Sequence, residues 1–352
     1  MSKPLRITLV TIGFIIICFA SLLLYLTFTE YKPADKIALK TYNTELEEKV
    51  YSDTITCYSW NIGYAGLGRE MDFFYEGGEM VKPTLDLCHK YMDGVTKTLE
   101  TWSDADFILL QEIDIDSKRS YFNNQLDIIS SKLNDYYYNY ATNYNVQFVP
   151  LPVYSPMGKV SAGLATFAKY IPDSSIRYAF PQIQPWPNSL AMLKKGFIEN
   201  RYSLPNGKQL VVFHTHNSFF QKDSTQRYRE LNVLKNKMTL EYKKGNYVIA
   251  GGDWNQTPLG FEPKDYPNIQ NYVKTAVNLC DGYFPRKWKI VYDAKTPTTR
   301  FNDMPYKKGK SKVSYIDYFI ISPNVKNIDC KTIDLEFKYS DHNPVKITAI
   351  LQ

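Results

Sequence analysis

Residues 246–255 read NYVIAGGDWN, an apolar run that breaks into two glycines and then an acid, a tryptophan and an amide. A short apolar run bounded by turn residues marks a buried strand, so Asp253 and Asn255 stand where that strand runs out. Working outward, the same signature recurs. TITCYSW (54–60) runs into Asn61, DFILLQEI (106–113) carries Gln111-Glu112, and KQLVVFHTH (208–216) ends on His214 and His216. SYIDYFIIS (314–322) holds Asp317 inside its apolar run, and Asp341-His342 precedes VKITAIL (345–351). GLATFAKY (163–170) is a further strand candidate, and Pro205-Asn206-Gly207 marks a hairpin. Helix candidates cover about 83–102, 120–135 and 224–243, the last with Leu231, Leu234 and Met238 at helical spacing. Strands and helices interleaved in this way predict an α/β (α+β) fold in which sheets pack together and helices cover them.

The chain has 352 residues, 44% hydrophobic and 22% charged, which excludes a disordered or fibrous protein. Its net charge of +6 permits a phosphate-bearing or membrane-surface partner but lacks the dense basic stripe of a dedicated nucleic-acid binder. Cys18, Cys57, Cys88, Cys280 and Cys330 contain no CxxC pair and no zinc spacing, and read as small thiols, with disulfides the rival reading in an exported chain.

From Ile7 to Thr29 the sequence ITLVTIGFIIICFASLLLYLTFT carries no charge and is long enough to span a bilayer. A cleaved signal peptide has a shorter apolar region, whereas here leucines continue past Ala20, so residues 1–29 read as a cytoplasmic tip and transmembrane anchor. Lys3 and Arg6 place the N-terminus in the cytoplasm and the rest of the chain outside a single-pass cell-membrane anchor, although Lys32, Lys36 and Lys40 on the far side weaken that assignment. Residues 30–50 are expected to be a juxtamembrane linker or short solvated helix, and residues 51–352 one domain.

The polar residues at strand ends share a chemistry. Each taken alone has a structural explanation as a turn, cap or edge residue. The chain has only four histidines, however, and His214, His216 and His342 all fall at strand ends, while His89 sits in a helix-like stretch and reads as structural. His214 and His216, two apart on a strand, project from one face. Asp317 within an apolar strand is costly unless paired, and a histidine paired to an aspartate suits proton transfer. Glu112 and Asp341, with an amide oxygen from Asn61, are hard oxygen ligands that suit Mg²⁺, Mn²⁺ or Ca²⁺. No Walker loop, serine elbow or HExxH is present.

In order, Trp60-Asn61, Gln111-Glu112, HTHN (214–217), GGDWN (251–255), SYIDYFIIS (314–322) and YSDHNPV (339–345) resemble the endonuclease/exonuclease/phosphatase superfamily, across about 54–351. That resemblance implies a four-layer sandwich, two mixed β-sheets face to face with helices outside. It implies metal-dependent phosphoric ester hydrolysis, with Glu112 as principal metal ligand and Asn61 and Asp341 near the metal and phosphate. Asp253 would orient or deprotonate water, Asn255 contact the phosphate, and His342 with Asp317 form a dyad. His216 would contact the phosphate or aid the leaving group. His214 stands where the superfamily often has Asn, and reads either as a phosphate contact or as a local hydrogen-bonding group. Arg119 reads either as a phosphate contact or as a surface arginine. The Gly- and aromatic-rich stretch within 64–80 reads as a loop over the cleft or a surface excursion.

The expected substrate is a phosphodiester, with nucleic acid slightly ahead of a phospholipid or sphingomyelin headgroup: the basic, aromatic-bearing segments PRKWK (285–289) and MPYKKGKSK (304–312) read either as polyanion contacts or as solvated loops, and the anchor suits a lipid headgroup or a surface nuclease alike. An inositol phosphate phosphatase and a silent surface-binding scaffold are the other readings. The membrane is the expected partner of the N-terminal helix, and no motif points to an obligate protein partner.

Overall fold

Short apolar runs, buried on both faces, form the central strands of two sheets. The computed structural model describes residues 2–46, 51–182, 184–219, 225–258, 261 and 282–352; Cys280, residues 47–50 and Ser224 lie outside that description. In chain order the strands are β1 (Lys36–Ala38), β2 (Thr54–Asn61), β3 (Phe107–Asp114), β4 (Tyr137–Val149), β5 (Gly158–Ala168), β6 (Ser174–Ala179), β7 (Gly196–Ser203) and β8 (Gln209–His216). They continue with β9 (Tyr247–Asp253), β10 (Lys289–Val291), β11 (Thr299–Arg300), β12 (Val313–Ser314), β13 (Asp317–Ile321), β14 (Val325–Thr332) and β15 (Val345–Leu351). The helices are α1 (Lys3–Phe28), α2 (Leu85–Glu100), α3 (Gln125–Lys132) and α4 (Thr225–Lys243).

One sheet has the order β14-β15-β2-β3-β5-β4 and the other β1-β6-β7-β8-β9-β13-β10. Both are mixed, because β2–β3 and β8–β9 are parallel while the remaining neighbours in these two sheets are antiparallel. Ile55, Cys57, Phe107 and Leu109 of the first sheet meet Leu210, Val212, Ile249 and Phe319 of the second in a shared core. Tyr91, Val95 and Leu99 of α2 and Ile129 of α3 cover the outer face of the first sheet, packing on Trp60, Ile108 and Leu110. Leu231, Leu234 and Met238 of α4 cover the second, packing on Phe213, Val248 and Ala250. The result is the expected four-layer α/β sandwich.

Local signals explain several boundaries. Thr84 caps α2 by accepting the Leu87 amide, and Asn124 caps α3 by accepting the Asp127 amide. The expected hairpin joins β7 to β8, with Gly207 at φ 77° and the Lys208 carbonyl accepting from the Leu204 amide at 2.9 Å. Strand β4 lacks an apolar run and is held instead by Tyr–Asn alternation, which keeps Tyr137, Asn139 and Ala141 buried on one face.

One expectation changes. Residues 36–38 are no linker: β1 pairs with β6 at the edge of the second sheet, and the Tyr138 carbonyl accepts from the Tyr42 amide, so the stretch before residue 51 is tied to the body. Cys57 and Cys88 are buried and Cys330 half-buried, all as free thiols, and Cys18 lies exposed on α1. Helix α1 is 26 residues long with a mean hydropathy of 2.7 over its most apolar stretch, long and apolar enough to cross a membrane. Its last turn touches the body: Trp186 Nε1 donates to Thr27 Oγ1 at 3.2 Å, and just beyond the helix Lys194 Nζ donates to Glu30 Oε1 at 2.8 Å.

Candidate active site

Because strand side chains alternate, the polar strand ends continue the core-facing side of each strand. Asn61 shares parity with Ile55 and Cys57, His214 and His216 with Leu210 and Val212, Asp253 with Ile249, and Asp317 with Phe319 and Ile321. The apolar core between the sheets therefore gives way to a polar cleft at one edge. Glu112 breaks parity with Gln111, and β3 accommodates it by a bulge between Leu110 and Ile113 with Glu112 at φ 56°. Left-handed backbone at a non-glycine residue is a strain that marks functional sites, and here it turns Glu112 toward Asn61. Asn255 carries the same feature at φ 50°. Gly252 has to be glycine, since a Cβ there would lie 1.9 Å from the Thr215 carbonyl oxygen.

Asn61 Nδ2 donates to Glu112 Oε1 at 3.2 Å and to Asp253 Oδ2 at 3.0 Å. The Asn255 amide donates to Asp253 Oδ1 at 2.8 Å, and Asn255 Nδ2 donates to the Asn217 carbonyl. His216 Nε2 lies 3.5 Å from Asp253 Oδ2 and 3.9 Å from Glu112 Oε1. His342 Nδ1 and Asp317 Oδ2 are 2.8 Å apart, and His342 Nε2 lies 3.9 Å from Asp253 Oδ2. The loop carrying His342 is locked to the first sheet, as Trp60 Nε1 donates to the His342 carbonyl and Ser340 Oγ to the Asn61 carbonyl. Asp341 accepts from Asn302 Nδ2 at 2.8 Å.

Burial and charge set the histidines apart. Burial would lower His342, but the charge and hydrogen bond of Asp317, with Asp341 and Asp253, hold it well above its ordinary value. His216 is pushed well below it by burial, with Lys195 and His342 adding to the effect. Asp253 is raised to about 6 by burial and by Asp317. Titratable groups driven apart in one cleft are the arrangement that acid–base chemistry needs.

Glu112 and Asp341 fit a hard divalent cation; Asn61, expected to add an amide oxygen, instead turns Nδ2 to Glu112 while its Oδ1 accepts from the Gly63 amide at 3.0 Å. Glu112 is raised by burial and by Asp341, whose charge opposes its ionisation, and a cation between such groups relieves that repulsion. Asp253, Asp317 and His342 also bring ligand-type atoms within 4.8 Å of one another. With the His342–Asp317 contact at 2.8 Å, that cluster is a hydrogen-bonded dyad facing a carboxylate, because metal ligation at Nδ1 would displace the shared proton.

The remaining expected residues divide. His214 is fully buried, with Gln111 Nε2 at 2.7 Å and Thr166 Oγ1 at 3.0 Å from its two ring nitrogens, and burial drives it down to about 3. It is a neutral link between the sheets and not a phosphate contact. Arg119 is no surface residue: it is buried, paired with Asp114 through two hydrogen bonds and stacked 3.6 Å from the Tyr64 ring, and it lines the cleft. Lys195 was not anticipated. It is buried in the cleft wall, donates to the Asn217 carbonyl at 2.6 Å, and is lowered by burial against the pull of Asp253. The only sequence signal is Lys194-Lys195 directly before β7. The 64–80 segment lines the cleft with Tyr64, Leu67, Phe73, Tyr75 and Glu76, and it is tied to the body: Arg300 Nη2 shares its two N–H groups among the carbonyls of Leu67, Gly68 and Met71 at 3.0, 2.9 and 3.0 Å, and Glu76 accepts from the Asn302 amide.

Residues 58–342 match the Endonuclease/Exonuclease/phosphatase family. The chain belongs to that family. Its members are phosphoric ester hydrolases and generally depend on a divalent metal. An endonuclease/exonuclease/phosphatase from Beutenbergia cavernae shares the fold, with a TM-score of 0.56 and 14% identity over 85% of this chain and 72% of that one. TDP2 from D. rerio, solved with a single-strand DNA product, gives 0.54 and 14% over 85% and 99%. ANGEL2, described as a 2',3'-cyclic phosphatase, gives 0.54 and 14% over 89% and 98%. A search of curated protein sequences gave no match.

Proposed function

We propose that this hydrolase is a divalent-metal-dependent phosphodiesterase held at a membrane by residues 1–29. The observation that carries the chemistry is the convergence of Asn61, Glu112, His216, Asp253 and His342 from separate strands and loops on one cleft. Glu112, positioned by Asn61, and Asp341 would hold the cation, Mg²⁺ foremost with Mn²⁺ or Ca²⁺ as substitutes, and when bound it would neutralise phosphate charge and polarise phosphorus toward attack. Asp253 takes a proton from water as the water oxygen bonds to phosphorus. His342, kept protonated by Asp317, gives a proton to the departing oxygen as its bond to phosphorus breaks. Neutral His216, the second N–H of Asn255 Nδ2, Lys195 and Arg119 face the phosphate oxygens; Asp114 takes two of the five N–H groups of Arg119, which leaves the others for the phosphate.

For the substrate, the D. rerio neighbour's DNA product favours nucleic acid at the level of fold. Against that, neither basic segment borders the cleft, and Lys308 and Lys312 pair with Glu336 and Asp303. Apolar α1 supports the anchor, with the body outside and the N-terminus in the cytoplasm. Full-length protein in detergent is tested on soluble bis(p-nitrophenyl) phosphate. Turnover that needs Mg²⁺ and stops with EDTA is the expected result, and a folded protein inert with every divalent metal contradicts the reading. Protease added to intact cells should degrade the body, and full protection would reverse the orientation.

A further inference from the structure

The active-site cavity is far larger than a phosphate requires. It encloses about 750 Å³ and is bounded both by Glu112, Asp253 and His342 and by Phe19, Leu23 and Leu26 of α1. Those three helix residues lie at spacings of four and three, hence on one helical face. Much of the wall between is aromatic or aliphatic, including Tyr144, Phe148, Val149 and Met157. A cleft for a polyanion would be walled by cations along its length, whereas the lysine and arginine side chains lining this one are Arg119, Lys195 and Arg300, set among the acids Glu76, Glu112, Glu230, Asp253 and Asp341.

The helix is fixed in place by specific contacts. Leu26 is buried against the body, Thr27 accepts from Trp186, and Glu30 and Lys194 form an ion pair whose side chains are only 8% and 10% exposed. The adjacent Lys195 reaches the other way, into the catalytic cleft. Leu151 and Met192 are exposed on the cavity wall, and close in sequence to the lining residues Leu151 and Pro187, Val153 is 83%, Tyr154 75% and Trp186 58% exposed. Tryptophan and tyrosine flanked by aliphatic residues beside a membrane span are the composition of a bilayer interface. Counting about 1.5 Å per residue from Ile7, a hydrocarbon core of about 30 Å ends near Leu26. Leu23 and Phe19 then lie roughly 4 and 10 Å inside the outer leaflet, so the cavity opens into hydrocarbon.

We propose that the transmembrane helix forms one wall of the substrate site, and that the occupant is an acyl chain of a membrane phosphodiester lipid whose phosphate sits at Glu112, Asp253 and His342. This rests on the hydrolase reading above and names its substrate class. Water adds to phosphorus, one phosphorus–oxygen ester bond breaks, and the departing oxygen leaves with a proton as an alcohol.

The test uses full-length protein reconstituted in vesicles of equal parts phosphatidylcholine, phosphatidylglycerol and sphingomyelin, with bis(p-nitrophenyl) phosphate and plasmid DNA assayed in parallel. Metal-dependent hydrolysis of at least one lipid is expected. Leu151→Glu/Met192→Glu, which places two charges on the apolar rim, should lower lipid turnover relative to aryl diester turnover by at least about tenfold. Turnover of the aryl diester with none of the lipids cut, preference for DNA, or equal loss of both rates in the double variant overturns the inference while leaving the hydrolase reading standing. If no diester is cut, that reading falls first and the inference with it.

Discussion

Asp317→Asn removes the charge that holds His342 and leaves β13 its shape. The two side chains are 0% and 7% exposed, and the Nδ1–Oδ2 distance is 2.8 Å. At an effective dielectric constant of about 20, unit charges at that separation attract by roughly 6 kcal/mol. Desolvation offsets part of this, and breaking a buried pair by removing one partner costs on the order of 3–5 kcal/mol. Proton transfer by a positioned side chain contributes about 10²–10⁴-fold, so kcat should fall by roughly that factor. The phosphate-facing groups are untouched, so KM should move little. The histidine should also titrate lower: with the charge of Asp317 gone, burial is opposed only by the remaining Asp341 and Asp253, and the imidazole loses its proton at lower pH than in the parent. Because the folded-state value is raised, the pair contributes stability that is complete below the ordinary histidine range and lost as pH rises through the raised value. The variant should lack that alkaline loss. The assay is steady-state hydrolysis of bis(p-nitrophenyl) phosphate at saturating Mg²⁺, with an imidazole NMR titration of His342. A kcat within about threefold of the parent, or an imidazole that titrates no lower in the variant than in the parent, refutes the reasoning.

Arg300→Ala should free the 64–80 segment. It removes the buried guanidinium whose Nη2 shares two N–H groups among the carbonyls of Leu67, Gly68 and Met71, and a loss of at least about 3 kcal/mol in urea denaturation, with faster amide exchange in 64–80, is expected. Glu241 of α4 binds Arg201 of β7; burial alone would raise it, but hydrogen bonds from Arg201, Lys244 and Asn246 lower it to about 2. That contribution is present above the ordinary glutamate range and lost as pH falls toward 2, so Glu241→Gln should flatten the acid limb of a melting-temperature profile, and an unchanged limb would contradict it.

Much of this was legible because both sheets obey a period of two. The strands near Asn61, His216, Asp253 and Asp317 carry apolar residues at alternate positions, and a polar residue ending such a run has to emerge where the core ends. Parity misplaces Glu112, however, since only the bulge in β3 turns it into the cleft. Lys195, Arg300 and Glu76 were missed for another reason. Their roles come from partners far away in the chain, such as Arg300 with Leu67, and no local pattern announces them. His214 shows the converse: a histidine in the right face and row, yet one step further into the core, where Gln111 and Thr166 consume both nitrogens. β4 was invisible to a search for apolar runs because its buried face is held by tyrosine and asparagine. Residues 36–38 looked like linker because a three-residue edge strand has no periodicity to read.

The central claim is that Glu112 anchors a divalent cation without which phosphodiester hydrolysis stops. The direct measurement is Mn²⁺ titration of the full-length protein by paramagnetic relaxation, alongside Mg²⁺-dependent hydrolysis, for the parent and for Glu112→Gln. The account predicts a saturable site in the parent that the variant weakens sharply, with turnover falling by at least about 10²-fold. Equal metal affinity in both proteins, or a variant that hydrolyses the diester at a near-parental rate, contradicts it.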